Sequence, residues 1–145
     1  MKHTKSRNGF TLIELIIVMV ILGIMAAVAV PRYLDSISNA EEAAEDAVIS
    51  AIKSGLTQYA NNSLYESGRA EWPTNPFDAL AEKPVGYSTD TDDADVDGEW
   101  TFTGTRITHQ RADNSRYQWS YDQGIQGGGD DAVIGTLGER VKITP

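Results

Sequence analysis

The sequence predicts an α+β chain in which a long N-terminal α-helix, membrane-spanning in its first half, packs against a small antiparallel β-sheet. Three observations carry this expectation. An apolar run of 21 residues, Phe10 to Val30, holds a single charge, Glu14. Helical spacing of apolar and small residues then continues to about Ala60. Beyond a stretch punctuated by proline and glycine, aromatic residues alternate with the period of strands. The organisation that follows is a basic leader over residues 1–9, a helix over 10–60 with 10–30 in the membrane, and a globular head over 61–145 made of a connecting loop and the sheet.

At about 1.5 Å per residue, the apolar run is long enough to cross the roughly 30 Å hydrocarbon core of a bilayer. Lys2, Lys5 and Arg7 precede it and only Arg32 closely follows, which places the N-terminus in the cytoplasm and the remainder outside. A secretory signal would put its small-residue cleavage site after a shorter apolar core, whereas here Gly9 comes before the run. Glycine lets the backbone lie close to a protease at the membrane surface. Cutting after Gly9 would leave an ammonium on Phe10 at the positive end of a helix dipole, and Glu14 lies one turn on. A carboxylate there relieves the repulsion by about 0.3–1 kcal/mol. An acid deep in a bilayer costs about 2.5–3.5 kcal/mol, so a partner for Glu14 is expected: either its own helix dipole at headgroup depth or an amine.

The residues Gly9, then Phe10-Thr11-Leu12-Ile13-Glu14, then an apolar helix running to Pro31 resemble the N-terminus of a type IV prepilin or pseudopilin. The resemblance covers about the first 35 residues. It implies that a prepilin peptidase cuts after Gly9 and methylates the Phe10 amine, and that Glu14 meets the Phe10 amine of a neighbouring subunit and sets register during assembly. The implied function is that of a structural, non-enzymatic subunit of a type IV pilus-like extracellular filament. The implied partners are further copies in a helical homopolymer, the prepilin peptidase, an inner-membrane assembly platform, and membrane lipid before assembly. The implied location is the bacterial inner membrane, N-terminus cytoplasmic and head periplasmic, and then the filament. The alternatives are a pseudopilin of a type II secretion system, in a periplasmic pseudopilus, and a monomeric membrane-anchored binding domain with an uncut leader.

Within the run, Gly23 and Pro31 bracket a small-residue segment, Ala26 to Ala29. Proline lacks an N–H and clashes with the carbonyl four residues back, so Pro31 is expected to kink or loosen the helix. The resemblance implies helix that can melt there as a filament stretches. Beyond the membrane, Tyr33, Ile37, Ala40, Ala44, Val48, Ile52, Leu56 and Tyr59 form one modest apolar stripe, with Asp35, Glu41, Glu42, Glu45 and Asp46 mainly on the other faces. Gly55 weakens the last turns, and Asn61-Asn62-Ser63 reads as the stop.

The connecting loop contains Trp72 and Phe77, which should pin it to the head, and a short helical turn at Asp78 to Glu82. Val85 to Thr89 is a weak strand and Glu99 to Thr108 a stronger one. Tyr117-Trp119-Tyr121 marks a third, which pairs with the second across a turn at Arg111 to Asn114. Arg140 to Thr144 reads as a last strand. The aromatic face is expected to lie on the helix stripe as core, since a head of about 85 residues without disulfides needs its large side chains for packing.

The composition narrows the chemistry. The net charge is −9, and −12 from Phe10 onward, which disfavours general nucleic-acid binding. With no cysteine, and with His3 and His109 as its two histidines, the chain offers neither a disulfide nor a zinc constellation. A small exported head then calls for another staple, with assembly and a metal as candidates. Asp93, Asp95, Asp97 and Gly98 open like a calcium loop, where alternate carboxylates converge on a hard cation. The pattern departs at its twelfth position, Gly104, so the three aspartates are a candidate calcium site outside the EF-hand class. Gly127 to Asp131 could supply further ligands; the competing reading is two solvated acidic loops.

Overall fold

The computed structural model describes residues 9–126 and 133–143. The chain divides into two compact units, one ending at Glu42 and the other beginning at Ala43. Helix α1 (Leu12–Ser67) contributes to both and remains helical through Pro31. It ends seven residues beyond the expected stop at Ala60. Gly68, at φ 77°, donates its N–H to the Leu64 carbonyl at 2.9 Å. That left-handed cap suits glycine, whereas Asn61 to Ser63 carry no such backbone break.

In the second unit α1 buries Glu45, Ile49, Ile52, Leu56 and Ala60. The buried stripe is therefore rotated from the expected one: Ala44 and Tyr59 are exposed and Val48 is half-buried. Ile49, Ile52 and Leu56 remove more apolar area from water than a face containing Ala40 and Ala44 would, and burial follows area. The rotation carries Glu45 inside, contrary to its expected place among the solvent-facing acids.

The sheet contains β1 (Trp100–Phe102), β2 (Arg106–Gln110), β3 (Arg116–Ile125), β4 (Val133–Leu137) and β5 (Val141–Ile143), all paired antiparallel. The run predicted as one strand over 99–108 folds back on itself at Thr103–Thr105. Gly104 takes φ 92° there, and Thr103 N–H reaches the Arg106 carbonyl at 3.0 Å. The hairpin across 111–114 forms as expected, with Ile107 opposite Trp119. Long β3 then pairs with β4 along its C-terminal half and with β5 along its N-terminal half. The expected strand at 85–89 is reduced to one bridge, Tyr87 to Trp100, next to a positive φ at Gly86.

The core joins Ile49, Ile52 and Leu56 to Phe77, Trp100, Phe102, Ile107, Trp119 and Tyr121. Trp100 stacks on Trp119 at 5.6 Å and Phe77 meets Trp100 edge-on at 6.4 Å, so the aromatic face lies against the helix as predicted. The connecting loop is pinned by Trp72, stacked on Tyr121 at 5.9 Å, and by fully buried Phe77. Its short helix is a 3₁₀ turn at Pro76–Ala79 instead of a turn over 78–82. Asn75 caps it by accepting from Phe77 N–H at 3.0 Å, and Pro76 opens it.

Gly55 has a packing reason: a Cβ there would lie 2.6 Å from the Ala79 carbonyl oxygen. Gly55→Val should therefore destabilise the head by about 1–3 kcal/mol through overpacking. The check is thermal unfolding of the full chain in detergent, followed by tryptophan fluorescence. An unchanged midpoint would mean that the 3₁₀ turn yields without cost.

Candidate processing and assembly site

Thr11 and Glu14 close the first turn of α1 on each other. The Thr11 backbone N–H and hydroxyl each donate to Glu14 Oε2 at 2.8 Å, and the Glu14 N–H donates to Thr11 Oγ1 at 3.3 Å. This is a capping box, in which the N-cap and the third helical residue satisfy orphan N–H groups reciprocally. The sequence signal was the T-x-x-E spacing of Thr11 and Glu14, which dipole and amine arguments alone passed over. The Glu14 carboxylate is thus held beside the Phe10–Thr11 peptide. It has acceptor capacity beyond its two Thr11 bonds, enough for an ammonium on Phe10.

Gly9 makes no demand of its own chain: a Cβ there would meet nothing within 4 Å, and its φ is not positive. A requirement for glycine at this position would therefore be imposed from outside the chain. Gly23 is equally open. Phe10 is 93% exposed, and every large apolar side chain from Leu12 to Val30 is also exposed. The helix carrying them is long and apolar enough to cross a membrane.

The three aspartates of the acidic loop lie in two different settings. Asp93 receives both Arg106 Nε at 3.1 Å and Arg106 Nη2 at 3.0 Å, and Arg116 lies 3.8 Å away. Asp95 and Asp97 are exposed and do not join it, and no group of three metal-ligating side chains converges among the described residues. Ala94 is fully buried, its N–H donating to Thr108 Oγ1 at 2.8 Å, while Thr101 donates to the Asp92 carbonyl at 2.7 Å. The loop is thus pressed onto β1 and β2 by hydroxyls and guanidiniums, which distinguishes it from a freely solvated one. Gly127 to Asp131 lie outside the described residues.

The largest surprise is Glu45, fully buried between the helix and the sheet. Arg111 grips it bidentately, Nε to Oε1 and Nη2 to Oε2, both at 2.7 Å. His109 Nδ1 donates to Oε1 at 3.0 Å, and Arg140 Nη1 donates to Oε2 at 3.0 Å. Trp100 stacks on His109 at 4.2 Å, and Arg111 lies 4.0 Å over the Tyr117 ring. Burial pushes the Glu45 carboxyl up, but the hydrogen bonds from Arg111, His109 and Arg140 outweigh it and bring it down to about 2. In sequence this centre was legible only in the spacing of Glu45 from Ile49, Ile52 and Leu56.

Comparison with known proteins bears on the N-terminal site. The family described as the prokaryotic N-terminal methylation motif matches residues 4–30. The chain therefore carries an N-terminal methylation motif over residues 4–30. The type IV narrow pilus major component PilA5 of Thermus thermophilus is 54% identical over 82 residues, 57% of this chain and 64% of that protein. A fimbrial protein of Neisseria meningitidis is 40% identical over 84 residues, 58% of this chain and 44% of that one. The type II secretion system core protein G of Pseudomonas aeruginosa is 36% identical over 83 residues, 57% of this chain and 55% of that one. The chain thus spans about half the length of these pilin-type relatives. No solved structure matches it significantly. The methylation-motif match encloses Gly9, Phe10, Glu14 and Gly23, while Pro31, the acidic loop and the Glu45 centre lie beyond it.

The depressed Glu45 carboxyl makes the head acid-sensitive. A carboxyl lower in the folded than in the unfolded state contributes its full stability above the ordinary glutamate value of 4.5 and loses it as pH falls through about 2. The shift corresponds to roughly 3 kcal/mol. Glu45→Gln should lower stability at pH 7 and flatten the pH dependence below 4.5, read by denaturant titration at several pH values. Equal slopes for the two proteins would assign acid sensitivity to other carboxylates.

Proposed function

We propose that this chain is the structural subunit of a type IV pilus-like extracellular filament. On this reading it is stored in the inner membrane with its N-terminus cytoplasmic, cut after Gly9, methylated on Phe10, and polymerised through its N-terminal helix. It has no catalytic role. The observation that carries the reading is a helix segment whose large apolar side chains are all exposed and whose first turn holds a carboxylate beside Phe10. Outside lipid, that segment needs apolar cover, and other copies of the same segment supply it. Lipid covers it before assembly. The prepilin peptidase and an inner-membrane assembly platform are the partners this route requires.

Glu14 does two things here. Within one chain it closes the capping box with Thr11, and in the filament it takes the Phe10 ammonium of a neighbour, which offsets the cost of a carboxylate in an apolar surrounding. Gly23 and Pro31 are where the helix can yield. A second reading, a pseudopilin of a type II secretion system, is favoured by the likeness to core protein G and by the absence of cysteine.

The test is the mass of the mature protein together with electron microscopy of sheared cell-surface material. The proposal expects an N-terminus at Phe10 carrying one methyl group and abundant surface filaments. Gly9→Val should leave the leader attached. Glu14→Leu should be cut normally yet yield at least tenfold fewer filaments. An uncut wild-type chain would instead mark a membrane-anchored monomer, and processed chain without surface filaments would mark the secretion pseudopilin.

A further inference from the structure

The two strands beside β3 are out of step with each other. Tyr121 lies opposite Leu137 in one ladder and Gln118 opposite Val141 in the other. Between these pairs β3 has two residues, Trp119 and Ser120, and the facing chain has three, Gly138, Glu139 and Arg140. The extra residue is a β-bulge, which reverses the alternation of faces downstream of it. Leu137 packs on the core, so uninterrupted alternation would turn residues 139 and 141 inward. With the bulge, Arg140 points inward to Glu45 and Val141 is left 52% exposed.

β5 is weakly held otherwise. It is three residues long, its side chains at Val141 and Lys142 are exposed, and among the described residues it pairs only with Arg116 to Gln118. The arginine just before it is bound across 95 residues of sequence to the helix, where Glu45 Oε2 accepts at 3.0 Å and Asp46 lies 3.6 Å away. Its guanidinium also lies 6.0 Å over the Tyr117 ring, on the strand with which β5 pairs.

We propose that Arg140, aimed by the bulge and received by Glu45, is a latch that fixes the C-terminal strand to the helix, in the place a disulfide or a metal takes in other small exported domains. The latch is separable from the core because Glu45 keeps Arg111 and His109 when Arg140 leaves. Opening it frees β5 and exposes the β3 edge at Arg116 to Gln118 without unfolding β1 and β2. The inference is independent of the filament reading.

The test is backbone hydrogen exchange on the full chain in detergent, comparing wild type with Arg140→Gln and Arg140→Lys. Arg140→Gln should speed exchange at Val141 to Ile143 at least tenfold while leaving Trp100 to Phe102 within twofold. Arg140→Lys, which keeps the charge but loses the fork, should fall between Arg140→Gln and wild type. Unchanged exchange at Val141 to Ile143 in Arg140→Gln would overturn the latch. So would an equal rise across all strands, because Arg140 would then stabilise the head as a whole.

Discussion

The head depends on one buried carboxylate. Glu45 sits where the helix meets the sheet, and three side chains from the second half of the chain converge on it. Leaving such an ion unpaired costs several kcal/mol, whereas a satisfied cluster is close to neutral against a packed apolar alternative. Its main effect is therefore on arrangement. A sheet slid along the helix by one turn would keep much of its apolar burial but would strand the carboxylate. The core of Ile49, Ile52 and Leu56 says that a sheet should cover this face; Glu45 says in what register.

Glu14 and Glu45 both lie where a charge is expensive, and the chain treats them in opposite ways. Glu45 is saturated internally by Arg111, His109 and Arg140 and has no acceptor turned outward. Glu14 is positioned by Thr11 alone, on an exposed turn next to the peptide bond that processing would cut. One carboxylate completes a fold; the other, in the proposed filament, is available to a second chain.

Much of this was legible in the sequence, and what was not has physical causes. The apolar run and the Gly9-to-Glu14 motif are strictly local, so spacing alone located them. The hairpin at Arg111 to Asn114 and the aromatic core followed from alternation. The stripe phase did not, because Ile52 and Leu56 belong to both the expected and the observed stripe, and only the facing sheet decides whether Ala44 and Val48 or Glu45 and Ile49 complete it. The helix end was misplaced because Asn61 to Ser63 are weak helix formers but Gly68 supplies the left-handed residue. The guanidinium partners of Asp93 were not legible because Arg106 and Arg116 lie more than ten residues downstream. β4 was missed because Gly135 interrupts its apolar pattern, and that glycine is required where the strand passes close to the Asp122 carbonyl.

The distribution of arginine also bears on how copies associate. Four of the basic residues after the leader, Arg106, Arg111, Arg116 and Arg140, are directed at Asp93 or Glu45. These internal pairs leave the outward surface dominated by carboxylates on a chain whose net charge is already −9. Such heads repel one another within a screening length of about 8 Å at physiological salt. In the proposed filament, attraction between copies would then come mainly from the segment that has apolar surface and almost no charge, residues 10–30. There the same charge asymmetry would hold the heads apart while the helices associate, giving the apolar run the driving force and the head the exposed face.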